Sequence, residues 1–225
     1  MTPLELDLAV PSHLLVLIGG GEFSFGQTRE IDEFLVRSMP AERRTIAFLP
    51  TASGSADYAV HLGAYFRQID ARLQTVNVPI YRRRDSRRQK NLNLLLDAGM
   101  IYLGGGVTNA LVSTLRESPA DIAIRYAAEQ GTVIAAIGAA AACFGTFARD
   151  MRGGPALPGL GWIAGTVIDT GFDPAEDVAL RRLMSLPDVT LGIGIPARTA
   201  LAVHAGGSTT LIGDGTVAAF RKSQA

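Results

Sequence analysis

The chain has 225 residues, with 21 basic and 21 acidic side chains in exact balance, and a mean hydropathy of +0.22. At 48% hydrophobic residues it can bury one substantial core, which excludes a disordered chain, and its neutral charge offers no electrostatic basis for binding nucleic acid or a membrane surface. The lone cysteine, Cys143, excludes an internal disulfide framework and cysteine-based zinc sites and points to a reducing, cytoplasmic setting.

The opening residues M-T-P-L-E-L-D-L-A-V lack a basic segment followed by a long apolar stretch, so no signal peptide is expected. Leu14 to Ile18 reads as the first strand and runs into Gly19-Gly20-Gly21. Ile31, Phe34 and Leu35 form a helical stripe before Pro40. Thr45 to Leu49 is a second strand, closed by Pro50-Thr51-Ala52-Ser53-Gly54. Tyr58, Leu62, Tyr65, Phe66 and Ile69 recur at helical spacing. A third strand spans Leu73 to Val78. After the basic run Arg82 to Lys90, a helix covers Asn91 to Asp97, and Met100 to Leu103 is a strand ending in Gly104-Gly105-Gly106. Helices follow over Asn109 to Arg116 and over Pro119 to Gln130, where Pro119 suits a first helical turn.

Residues 131 to 145 read G-T-V-I-A-A-I-G-A-A-A-A-C-F-G. A β-branched apolar run meets Gly138 and then small residues, which is how a sharp strand-to-helix turn is written. In hydrolases such a turn lifts a nucleophile above the sheet, beside backbone N–H groups that hold an oxyanion. The expected apex here, Ala140, carries neither oxygen nor sulfur. Beyond it, short runs at Thr166 to Asp169, Thr190 to Ile195, Ala200 to His204 and Thr209 to Ile212 suggest antiparallel strands finishing one edge. The alternation of strands and helices predicts an α/β fold of one domain over 1–225: a mainly parallel sheet covered on both faces, with an antiparallel C-terminal edge. Ligands of such sheets bind beyond the carboxyl ends of the strands, so the three glycine-rich turns are expected to share one rim.

L-I-G-G-G-E at 17 to 22, F-L-P-T-A-S at 48 to 53, Y-L-G-G-G at 102 to 106, V-I-D-T-G-F at 167 to 172 and G-I-G-I at 192 to 195 resemble, in order and spacing, peptidase family S51, the aspartyl dipeptidases and cyanophycinases. The resemblance implies a three-layer α/β sandwich like that of class I glutamine amidotransferases, and serine-dependent hydrolysis of Asp-containing dipeptides or cyanophycin. It also implies where the catalytic groups belong. The family serine, in G-x-S-A-G, falls on Ala140. The histidine of D-x-H-F falls on Gly171, and the orienting carboxylate that follows G-I-G-I falls on Ala197. A nucleophile needs its base, and the base its partner, so three losses together read as an eroded site with no catalytic residue intact. Backbone N–H groups do not depend on those side chains. An anion-holding pocket of Gly20, Gly21, Ser53, Gly105, Gly106, Asn109, Ala140 and Ala141 is therefore expected to survive, taking a small acidic or dipeptide-like ligand.

The remaining polar residues read more plainly. Cys143 is a relocated-nucleophile candidate, although it reads as a buried, inert thiol. His13 and His61 read as structural or solvent-facing, whereas His204 ends a strand and is able to approach the rim. Without H-x-x-x-H or H-E-x-x-H spacing no metal is expected, and the triple glycines miss the dinucleotide and phosphate-loop patterns, so no cofactor is expected. The basic run lacks interleaved aromatics and reads as a solvated loop leading into a helix. Ser53 and Ser55 read as turn and capping groups, with Asp57 as a helix N-cap. A hydrolase rewired around Ser53 or Cys143, and an interaction module with a vestigial pocket, remain the alternatives. Self-association is left open.

Overall fold

The computed structural model describes residues 4–222. Its elements in chain order are β1 (Leu14–Ile18), α1 (Arg29–Ser38), β2 (Thr45–Leu49), α2 (Asp57–Ile69), β3 (Gln74–Asn77), α3 (Gln89–Leu96), β4 (Met100–Leu103), α4 (Thr108–Leu115), α5 (Pro119–Glu129), β5 (Val133–Ile137), α6 (Ala139–Ala142), β6 (Phe147–Ala148), β7 (Leu157–Pro158), β8 (Thr166–Thr170), α7 (Val178–Met184), β9 (Leu191–Ile195), β10 (Thr199–His204), β11 (Thr209–Gly213) and β12 (Ala218–Arg221).

The main sheet has the order β11-β10-β1-β5-β4-β2-β3. β1, β5, β4, β2 and β3 are mutually parallel, while β10 and β11 run antiparallel on one edge. Side chains alternate across the pleat. Leu15, Leu17, Ile101, Leu103, Ile134 and Ala136 face the core beneath α4, α5 and α6. Val16, Ile18, Phe48, Tyr102, Ala135 and Ile137 face the opposite core beneath α1 and α2. Burial on both faces explains why these strands read as unbroken apolar runs. The α5 start agrees with its sequence: Pro119 occupies the first turn and the Ser118 hydroxyl accepts the Asp121 N–H at 3.2 Å.

Two expectations are corrected, one for the tail and one for the start of α2. β8 and β9 do not join the antiparallel edge. They pair in parallel, Thr166 opposite Leu191 through Thr170 opposite Ile195, within a second sheet of order β12-β9-β8-β6-β7. A parallel pair needs a crossover, and α7 supplies it, burying Leu180 and Leu183 against Val167, Phe172 and Val189. Asp57 is the first residue of α2 rather than its cap; the Ser55 hydroxyl accepts the Asp57 N–H at 3.2 Å.

Register fixes where a site can lie. Ile18 pairs with Ile137, Leu103 with Ala136, and Leu49 with Leu103. The turns after β1, β2, β4 and β5 therefore emerge side by side on one rim.

Candidate functional site

At the β5–α6 junction the backbone reverses at Gly138, with φ 57° and ψ −125°. That region is nearly closed to residues with a Cβ, so the strained apex of the elbow is Gly138. The placement of the apex at Ala140 is corrected by two residues: Ala140 lies inside α6 and is fully buried, as is Ala141. Neither lines a surface pocket, because their methyl groups face the core under α4.

Three consecutive carbonyls organise the rim. Ile18 O accepts the Gly138 N–H at 2.9 Å, Gly19 O accepts the Gly171 N–H at 2.8 Å, and Gly20 O accepts the Arg198 N–H at 2.8 Å. Successive Cα atoms are about 3.8 Å apart, so the elbow, the D-T-G-F turn and the turn after G-I-G-I meet within one short stretch of backbone. Ala197 adjoins it: a Cβ on Gly20 would lie 4.0 Å from the Ala197 methyl. Cβ atoms built on Gly138 or Gly171 would meet nothing within 4 Å. Both positions open into free space and present no side chain to it.

The neighbouring turns complete the frame. Gly20, Gly21 and Gly106 have φ of 142°, 128° and 146°, conformations that favour glycine. Gly105 lies against the Ile137 carbonyl, and Gly106 approaches the Ala52 carbonyl so closely that a Cβ would sit 2.3 Å from it. Ser53 is thereby brought to the rim, but its hydroxyl is occupied locally, donating to Pro50 O at 3.2 Å. Asn109 is not a free pocket group: its Nδ2 donates to Asp150 at 2.7 Å and its Oδ1 accepts the Met151 N–H at 3.2 Å.

The other candidates are separated from the rim. Cys143 is fully buried, its thiol donates to Ala139 O at 3.2 Å, and burial pushes that thiol up to about 12. A nucleophilic thiolate needs the opposite environment. His204 pairs with Leu14 at the far end of β1 and meets Thr210 Oγ1 at 2.9 Å, so the expectation that it approaches the rim is corrected. His13 lies at that same far end, and His61 is exposed on α2. In the basic run, Arg83 donates to the carbonyls of Arg116 at 2.8 Å and Glu117 at 3.2 Å, satisfying acceptors at the α4 C-terminus.

Sequence reading missed Asp32. It is buried on α1, where one carboxylate oxygen accepts from the Thr28 hydroxyl at 2.7 Å and the Tyr65 hydroxyl at 2.8 Å. The other oxygen has no partner among the described residues. Thr28 in turn supports the Gly21 turn, its methyl 3.0 Å from where a Gly21 Cβ would stand. Desolvation raises the Asp32 carboxyl to about 6, against the pull of both hydroxyls. The folded state thus holds this proton more tightly than the unfolded chain, so stability falls as pH rises from about 4 to about 6 and is level above that. The full difference is about 3 kcal/mol. Urea unfolding across that window is expected to show a decline for the parent that Asp32→Asn removes; parallel profiles would contradict it.

The site can be set beside known proteins. The model of peptidase family S51 matches residues 15–211. The chain is 29% identical over 157 residues to the uncharacterized peptidase YgaJ of Bacillus subtilis (strain 168), covering 68% of this chain and 66% of that protein, slightly under two thirds of its length. A crystal structure of a peptidase from an acI-B1 Actinobacterium superposes with a TM-score of 0.77 at 25% identity, covering 93% of this chain and 91% of the other.

Proposed function

The chain belongs to peptidase family S51, and from that premise we propose that it is a member without hydrolytic chemistry, which keeps the rim and acts there by binding. The carrying observation is the convergence of Gly138, Gly171 and the Pro196–Arg198 turn on three successive carbonyls, with neither nucleophile, base nor orienting acid presented from them. The serine's place is assigned to Gly138 rather than Ala140, and the histidine's and carboxylate's places to Gly171 and Ala197. In a serine protease, loss of the serine or the histidine alone costs roughly 10⁶ in kcat, so this arrangement leaves no route to family-type turnover.

The ligand proposed for the rim is a small acid or an acidic dipeptide. Its anionic end would face the Gly105 and Gly106 backbone and the N–H of Ala139, the residue after the apex, which is where an elbow directs a donor. Arg198 adds charge: it has φ 59°, and its guanidinium is held only loosely by Asp214 at 3.9 Å.

The rival reading, hydrolysis through Ser53, rests on the closeness of Ser53 to Gly106. A fluorophosphonate probe separates the two. The native protein is expected to remain unlabelled, and Gly138→Ser alone is expected to gain no peptidase activity, because no base stands ready to take the proton. Labelling at Ser53, or turnover by the Gly138→Ser variant, would overturn the assignment.

A further inference from the structure

A cavity of about 460 Å³, lined by none of the rim glycines, lies between the segment 149–156 and α7, a size usual for small-molecule sites. Ala156, Leu183, Leu186 and Met151 give it an apolar lining. Arg149 and Arg182 line it as well. Neither guanidinium makes a hydrogen bond or an ion pair among the described residues. Arg182 stands on α7 three residues after Ala179, so these two share a face, and Leu186 follows in the turn beyond the helix.

The opposite wall is fixed. Asp150 accepts from Asn109 Nδ2 and from the Arg152 N–H, both at 2.7 Å, and the Thr108 hydroxyl donates to the Arg149 carbonyl at 2.7 Å. These bonds tie the segment to the start of α4 and hold Asp150, the one acidic side chain among the cavity's lining residues, as a carboxylate engaged on that side. Asp169 is near enough to Arg149 to feel its charge, yet no ion pair joins them. Two guanidinium groups without an ion-pair partner among the described residues, set beside apolar side chains and outnumbering the one carboxylate, describe an amphipathic anion site. Arginine grips carboxylates in a planar, two-pronged geometry, and the apolar lining rewards an aliphatic body rather than a bare ion.

We propose that this cavity is a second ligand site, specific for small carboxylates with an aliphatic body, held at the carboxylate by Arg149 and Arg182. The site shares no lining residue with the glycine turns and stands whether or not the rim turns over a substrate.

Calorimetric titration of the full chain tests it with three probes: 4-methylpentanoate, its neutral amide 4-methylpentanamide, and inorganic phosphate. The carboxylate is expected to bind at millimolar concentrations, at least about 10-fold more tightly than the amide, and more tightly than phosphate. Both arginines are exposed, so Arg149→Gln and Arg182→Gln are expected to keep the parent melting temperature while each weakens the carboxylate about 10-fold. Leu186→Asp, which places a negative charge in the apolar lining, is expected to abolish binding. Equal affinity for carboxylate and amide, phosphate binding as tight as the carboxylate, undiminished binding by the arginine variants, or no heat from the carboxylate at all would each overturn the proposal.

Discussion

Gly19→Ala is expected to destabilise the protein by about 3–5 kcal/mol and to lower its melting temperature by about 10 °C or more. A Cβ on Gly19 would lie 2.1 Å from the Pro196 carbonyl oxygen and 2.4 Å from that of Ile195. Both obstacles are backbone, so no rotamer change relieves them. The glycine is pinned as well: its N–H donates to Thr199 O at 2.9 Å and its carbonyl accepts from Gly171 at 2.8 Å. Movement to admit the methyl must break at least one of these bonds and separate β1 from the turn after β9. Gly26→Ala is the matched control, since that glycine has φ 70° and open space around it; left-handed strain alone costs about 1–2 kcal/mol. Thermal melts of the two variants check the comparison. Equal losses would mean that the close approach at Gly19 contributes nothing.

The second large effect is expected at Trp162. It is fully buried, its ring meets Phe144 edge-on at 5.1 Å between centroids, and the Arg125 guanidinium lies 5.5 Å from its ring centre. Arg125 also donates to the Leu160 carbonyl. The backbone here clamps the end of the elbow helix, Leu160 N–H to Cys143 O at 2.7 Å and Trp162 N–H to Phe144 O at 2.9 Å. Trp162→Ala is expected to cost about 3–5 kcal/mol through the cavity it leaves. Trp162→Phe is expected to cost less than half as much, because the indole N–H is buried without a partner among the described residues and its removal relieves an unmade hydrogen bond. Denaturant midpoints of both variants give the check; a Phe variant as unstable as the Ala variant would contradict this account of the indole.

The sequence made the central strands plain because burial on both faces leaves them almost wholly apolar: Leu14–Ile18, Thr45–Leu49 and Met100–Leu103 have the bounds their composition suggests. The second sheet was hidden. β6 and β7 are two residues each, and α7 is a seven-residue helix whose crossover role depends on packing against β8 and β9. At the elbow, the four alanines after Gly138 carry no side-chain marker of register. Sliding the family's G-x-S-A-G back by two residues puts Ala136 and Ala140 in the glycine places and Gly138 in that of serine. Only the backbone, with its positive φ at Gly138, discriminates between the two alignments. Asp32 escaped notice because an acid in the helical stripe of α1 looks like a solvated residue until Tyr65 closes over it. The cavity beside α7 was hidden for a related reason, since Arg149 and Arg182 are brought together only by the fold.

The central claim is that the rim has kept its backbone and lost its chemistry. Purified protein incubated with Asp-containing dipeptides and with β-aspartyl-arginine, beside a heat-inactivated control, tests it most directly. The account predicts no release of free amino acid above the control. Sustained release by the intact protein, abolished by heating, would contradict it.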